Sequence, residues 1–141
     1  MKSVNKLLVL VMLFTLAFAG NAFAAESDYS YIDNGDGTAT ITGYSGTDTN
    51  LVIPSSVGGL TVTSIGVSAF EFLGISAVTI PNTVQTIGSS AFKSNSLTSI
   101  IIPDSVITIG DRAFAKNSLT SVTIPENVAN IGAMAFADNQ I

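Results

Sequence analysis

The chain has 141 residues, 47% of them hydrophobic and only 11% charged, with ten acidic residues against five basic ones. It contains no cysteine and no histidine. That composition excludes disulfides, thiolate chemistry, zinc–cysteine sites and an acylated lipoprotein start, and it leaves a serine nucleophile without its usual base.

Lys2 and Lys6 precede an apolar run from Leu7 to Ala19 broken only by Thr15, and Ala22-Phe23-Ala24 supplies the small residues a signal peptidase needs. As a helix the run rises only about 20 Å, short of the roughly 30 Å of a bilayer core. Residues 1–24 are therefore expected to be a signal peptide cleaved after Ala24. The mature chain is expected to be secreted or held at the cell surface, with no membrane insertion. Its loss leaves three cations against ten acids, a formal charge of −7. Such a surface disfavours nucleic acid and anionic lipid as partners.

Tyr29 to Tyr44 reads YSYIDNGDGTATITGY. The alternation of Thr38, Thr40 and Thr42 with Ala39 and Ile41 predicts a strand, and DNGDG a hairpin turn before it. Residues 25–47 are expected to form an N-terminal hairpin cap over the first turn of a repetitive region that begins at residue 48. Asp33, Gly35, Asp36 and Gly37 hint at a calcium loop, but the twelfth position, where an EF-hand needs Glu, holds Tyr44. A plain turn is the expectation, with no metal and no cofactor.

From residue 48 onward the chain repeats itself. Ile-Gly recurs at Ile65, Ile87, Ile109 and Ile131; Ala-Phe at Ala69, Ala91, Ala113 and Ala135; Ile-Pro at Ile80, Ile102 and Ile124, always 22 residues apart. Each unit opens with a strand-like segment. In one of them Leu97, Ile100 and Ile102 are apolar anchors, with Thr98, Ser99 and Ile101 between. Such segments are expected to pair in parallel with their copies, about 4.8 Å apart, until a proline closes them. Val106 and Ile109 then turn inward, a glycine suits a tight bend, and Ala113 and Phe114 complete the coil. Asn95, Asn117 and Asn139 share a place where a buried amide can bridge successive turns, and Leu73 breaks that column. One unit cannot bury enough apolar surface to order itself, whereas stacked units bury one another. The expected fold is a β-rich solenoid of about four turns over residues 48–141, with short parallel strands.

The stretch LTSVTIPENVANIGAMAFADN resembles the leucine-rich repeat of the BspA-like type, found in bacterial surface and secreted proteins. The resemblance covers residues 48–141. It implies a right-handed solenoid with its strands on the concave face, and a role in adhesion or protein binding. The first unit departs from the pattern: Pro54 to Gly66 spans five residues more than Pro81 to Gly88, and the excess lies within SSVGGLT, Ser55 to Thr61, which reads as a loop.

Chemistry is sparse. Asp104 and Glu126 stand 22 residues apart, a spacing that suits paired carboxylates on adjacent turns. Both come directly after a strand-closing proline in a turn open to water, and the preceding copy holds Asn82, so no enzyme is expected. The remaining candidate is the outer side of the strand segments. Its columns are Ser76, Thr98 and Thr120; Ala77, Ser99 and Ser121; and Thr79, Ile101 and Thr123. This neutral, hydroxyl-rich face with Ile101 as an apolar centre is the candidate binding face, for protein or glycan on a host or neighbouring cell. The rivals are a structural spacer of a larger surface protein and a fragment of an exported carbohydrate-active enzyme. At the far end Val128, Ile131 and Phe136 are expected to present an uncapped edge, open to self-association.

Overall fold

The computed structural model describes residues 24–141. Apart from Ala24, the expected signal peptide lies outside the described residues. Strand β1 (Tyr29–Asp33) and strand β2 (Thr38–Tyr44) pair antiparallel, as the alternation predicts. Their turn is built on glycine: Gly35 and Gly37 sit at φ +83° and +85°, where a side chain is strained. Asp33 Oδ1 accepts the Gly35 N–H at 2.8 Å, and Asp36 Oδ1 accepts the Thr38 N–H at 3.0 Å and its hydroxyl at 2.6 Å. Both acids are thus engaged by donors of their own turn.

The free edge of β2 does not face solvent. It pairs in parallel with a later strand, Ala39 opposite Val62 and Ile41 opposite Ile65, so the hairpin is the first rung of the solenoid. Tyr29 is buried and its hydroxyl donates to the Val52 carbonyl at 3.0 Å. Burial pushes its phenol above the ordinary range, with the nearby Tyr44 adding to the effect. The Tyr29 and Tyr44 rings close over Phe70 at 6.5 and 6.2 Å.

Strand β3 (Asn50–Val52) opens the first turn, and the expected loop after it is a hairpin. Strand β4 (Ser56–Val57) pairs antiparallel with β5 (Leu60–Ile65) across Gly58-Gly59, at φ +57° and +78°. Two central residues at positive φ are what a tight two-residue connection requires. Gly58 donates its N–H to Glu26 Oε1, tying the insertion to the cap.

The regular turns hold β6 (Ala77–Thr79), β7 (Thr86–Ile87), β8 (Thr108–Ile109) and β9 (Asn130–Ile131). The long parallel ladder runs β2–β5–β7–β8–β9, with Ile65, Ile87, Ile109 and Ile131 in register. This corrects one expectation. The segments that open each unit form a strand pair only between β3 and β6. Beyond it, Leu97–Ile102 and Leu119–Ile124 carry no ladder. A single backbone bond per turn joins that side: Ser96 N–H to Ile75 O, Ser118 N–H to Leu97 O and Gln140 N–H to Leu119 O, at 2.8–2.9 Å.

Glycine explains where the ladder goes. A Cβ on Gly88 would lie 2.7 Å from the Gly66 carbonyl carbon, and one on Gly110 would lie 2.5 Å from Ser89 N. Their backbones come close enough to donate, Gly88 to Ile65 O and Gly110 to Ile87 O, both at 2.8 Å. This glycine column serves close approach, not the bend expected of it.

Next along each turn is a corner that the sequence does not announce. Ser68, Ser90, Arg112 and Met134 all lie near φ +55°, as do Phe72, Ser94, Lys116 and Asp138 four residues later. That conformation disfavours L-residues by about 1–2 kcal/mol each. Cross-turn bonds offset it: Ser90 donates to Asp111 O, Phe92 to Ala113 O and Ser94 to Ala115 O at 2.8–2.9 Å, and the next turn repeats the set.

Inside, Phe70, Phe92, Phe114 and Phe136 form one column, with centroids 5.1–5.4 Å apart and planes within 8° of parallel. The first three rings are fully buried. The asparagine column behaves as expected. Asn117 is buried, donates Nδ2 to Phe92 O and Phe114 O, and accepts the Leu97 N–H on Oδ1. Asn95 and Asn139 repeat the arrangement.

Candidate binding face

The solenoid divides its labour by side. Along the Thr-Ile-Gly ladder and the left-handed corner, adjacent turns are bound by many backbone bonds. The opposite side, after each Leu and before each Ile-Pro, is held by few. There the alternation sends Ile100 and Ile102 inward, while Ser99 and Ile101 point to water.

All eight predicted face residues reach solvent: Ser76, Thr79, Thr98, Ser99, Ile101, Thr120, Ser121 and Thr123. The 22-residue register sets them in columns, with Ala77 beside them. Ile101 is 83% exposed, the most exposed large apolar residue of the described chain. Ser76 is partly engaged, its hydroxyl donating to Thr49 O at 3.2 Å and meeting Asn50 Oδ1 at 3.1 Å. A shallow hollow of about 420 Å³ lies across this face, lined by Ala77, Thr79, Asn82, Ser99, Ile101 and Pro103 among others. No ionisable side chain lines it. Recognition here would rest on shape, hydroxyls and one apolar contact.

The carboxylates of Asp104 and Glu126 are exposed, and neither lines that hollow. The Asp104 carbonyl accepts from Asn127 Nδ2 at 2.8 Å, an ordinary turn contact. A glycosidase pair needs one carboxyl sheltered enough to hold its proton, and both side chains here are open to water.

Sequence reasoning missed a second hollow, of about 320 Å³, at the left-handed corner. Lys93, Arg112 and Lys116, the cations of the described residues, line it with Met134 and Asp138. Lys93 Nζ lies 2.7 Å from Glu71 Oε1 and holds that carboxyl below its usual range. The 22-residue separation of Glu71 and Lys93 was the available signal.

A family model described as the BspA type leucine rich repeat region matches residues 41–141 in six copies. The chain belongs to the BspA-type leucine-rich repeat family. Among solved structures, this BspA-type chain is 37% identical to a leucine-rich repeat protein from Bacteroides capillosus ATCC 29799. That match has a TM-score of 0.66 and covers 74% of this chain and 83% of the other. It is 31% identical to a leucine-rich repeat protein from Bacteroides ovatus ATCC 8483, with a TM-score of 0.64, over 79% of this chain and 32% of that one. The leucine-rich repeat protein of T. pallidum shares the fold at 24% identity, with a TM-score of 0.66, over 83% of this chain and 67% of that one. No curated protein matches the chain. Among the described residues no helix is long and apolar enough to cross a membrane, and no group of three or more His, Cys, Asp or Glu side chains is placed to hold a metal.

Proposed function

We propose that this chain is an exported binding module that recognises a protein at the cell surface through the Ser/Thr/Ile101 face. Membership of a repeat family suited to protein binding supports the general class. The observation that carries the specific reading is Ile101. It stands almost fully exposed at a position where Thr79 and Thr123 occupy the neighbouring turns, and where an apolar side chain gains nothing from the fold. An exposed apolar contact ringed by neutral hydroxyls is the plan of a small interface core with a polar rim. The face lacks the Trp, Tyr and Arg anchors of tight complexes, so the affinity is modest and suited to adhesion by many displayed copies. The basic start, the apolar run and Ala22-Phe23-Ala24 support export.

The test is binding of the parent and of a Thr79→Arg/Ile101→Arg/Thr123→Arg variant to parallel arrays of extracellular proteins and of glycans. Protein targets that the parent binds and the variant loses support the reading. Targets retained unchanged by the variant reject this face, and glycan targets alone would replace protein recognition with sugar recognition.

A further inference from the structure

All three cations of the described residues meet at the hollow of the left-handed corner, although ten acids stand on the same stretch of chain. Lys93 comes from one turn, and Arg112 and Lys116 come from the next. Lys93 is already engaged: its ammonium lies 2.7 Å from Glu71 Oε1 and 5.5 Å from the centroid of the Phe72 ring. That is the one ion pair among the described residues, so Arg112 and Lys116, both exposed, belong to none. The acid adjacent to them in sequence, Asp111, is turned to another task. Its Oδ1 accepts the Ala133 N–H at 2.8 Å.

The fold does not call for these two cations. Arg112 and Lys116 lie at φ +54° and +56°, and one turn earlier Ser90 and Ser94 hold the same two places at φ +58°. What joins the turns there is backbone: the Arg112 N–H donates to Ala133 O at 3.0 Å and the Lys116 N–H to Ala137 O at 2.9 Å. Long cationic side chains add nothing to those bonds. With no carboxylate of the described chain paired to them, both are open to an anion from outside, which gains charge-assisted hydrogen bonds from each.

We propose that this hollow, of about 320 Å³, binds a carboxylate of an acidic peptide segment, with Arg112 and Lys116 as its two cationic contacts. A guanidinium presents parallel N–H donors that match a carboxylate, and the ammonium adds a second charge. The rest of the lining favours peptide over sugar. Met134 is 56% exposed there, with Ala115 and Ala137 beside it. Methionine and arginine together are enriched where protein surfaces meet, and an adaptable thioether suits the apolar neighbour of an acidic residue. Asp138 also lines the hollow and repels a further negative group. The ligand is therefore a segment with one or two acids, not an extended polyanion. The site is separate from the Ser/Thr/Ile101 face, none of whose residues lines it.

The experiment is fluorescence anisotropy of a short labelled peptide, two central glutamates flanked by leucines, titrated with the exported protein. It is run at about 0.15 M salt, where a screening length of about 8 Å mutes the distant acids of the chain. The same peptide with glutamine for glutamate is the control. The expected result is weak, saturable binding of the acidic peptide alone. An Arg112→Gln/Lys116→Gln variant that melts with the parent should weaken it about fivefold or more. Asp138→Asn should tighten it, while Asp104→Asn, an equal change of net charge away from the hollow, should leave it unchanged. A parent that binds neither peptide, or both alike, overturns the inference. So does a double variant of parental affinity, or an equal gain from Asp138→Asn and Asp104→Asn. Tighter binding of a diglucuronate, which carries the same two carboxylates on sugar, would overturn the peptide assignment in favour of an acidic glycan.

Discussion

Phe114 lies on Phe92 with ring centroids 5.3 Å apart and planes 8° from parallel, and the amide of Asn117 donates to the carbonyls of both residues. One side chain thus holds two ring-bearing turns at a fixed separation. The spacing is that of offset-stacked aromatics, which favour centroids 4.5–7 Å apart. Stack and amide column reinforce each other, and together they set the rise of the solenoid.

Removing one ring should break that arrangement in the middle. Phe114→Ala leaves a void between Phe92 and Phe136 and is expected to lower stability by about 3–5 kcal/mol, the range for large core truncations. Denaturant titration reads this out. A midpoint equal to the parent's would show that the ring column is not part of the cooperative core.

The amide can be tested by charge. In Asn117→Asp the Leu97 N–H favours the ionised carboxylate, but the carbonyls of Phe92 and Phe114, two acceptors facing the other oxygen, and the burial of the site both disfavour it and outweigh that single donor. Its folded pKa is therefore raised above the unfolded value near 3.9. The variant accordingly keeps most stability below the unfolded pKa, where the carboxyl is protonated in both states, and loses stability as pH rises toward and through the folded pKa. Melting curves from pH 3.5 to pH 7, each referred to the parent at the same pH, should show a deficit that grows with pH. A flat deficit would mean that the side chain has turned out to water.

The glycine column gives a third test. In Gly110→Ala the methyl meets Ser89 N and the Gly88 carbonyl carbon, both backbone atoms that cannot swing aside. A loss of about 1–3 kcal/mol is expected, as for other overpacked positions. If the alanine variant melts with the parent, glycine was there for flexibility instead.

Periodicity exposed the core of this protein and hid its connections. The 22-residue recurrence of Ile87 as Ile109, Phe92 as Phe114 and Val84 as Val106 was enough to place them inside, since residues repeated in register must share one environment. The hairpin at Asp33 to Thr38 and the bridging amides were legible because glycine and asparagine each have a narrow set of structural uses. The ladder was misplaced for the opposite reason. Thr98 to Ile102 has the composition of a strand, but composition reports a half-buried pleated surface and not a hydrogen-bonded neighbour. Bonding went to Thr108–Ile109, where Gly110 lets backbones meet. The left-handed corner gave no signal at all, because Ser90, Arg112 and Met134 are not residues that favour positive φ. There the cross-turn bonds override local preference. The face residues were placed correctly as exposed, since alternation alone decides which side a residue takes.

One side of the solenoid holds it together, which leaves the proposed binding face with few structural contacts to keep. The decisive measurement takes the Thr79→Arg/Ile101→Arg/Thr123→Arg variant and determines its denaturation midpoint and its binding to a protein target of the parent on the same sample. Stability is expected to stay within about 0.5 kcal/mol of the parent per exposed site, as for surface changes that break no contact, with binding reduced at least about tenfold. Unchanged binding, or a collapse in stability that accounts for its loss, would contradict this division of labour.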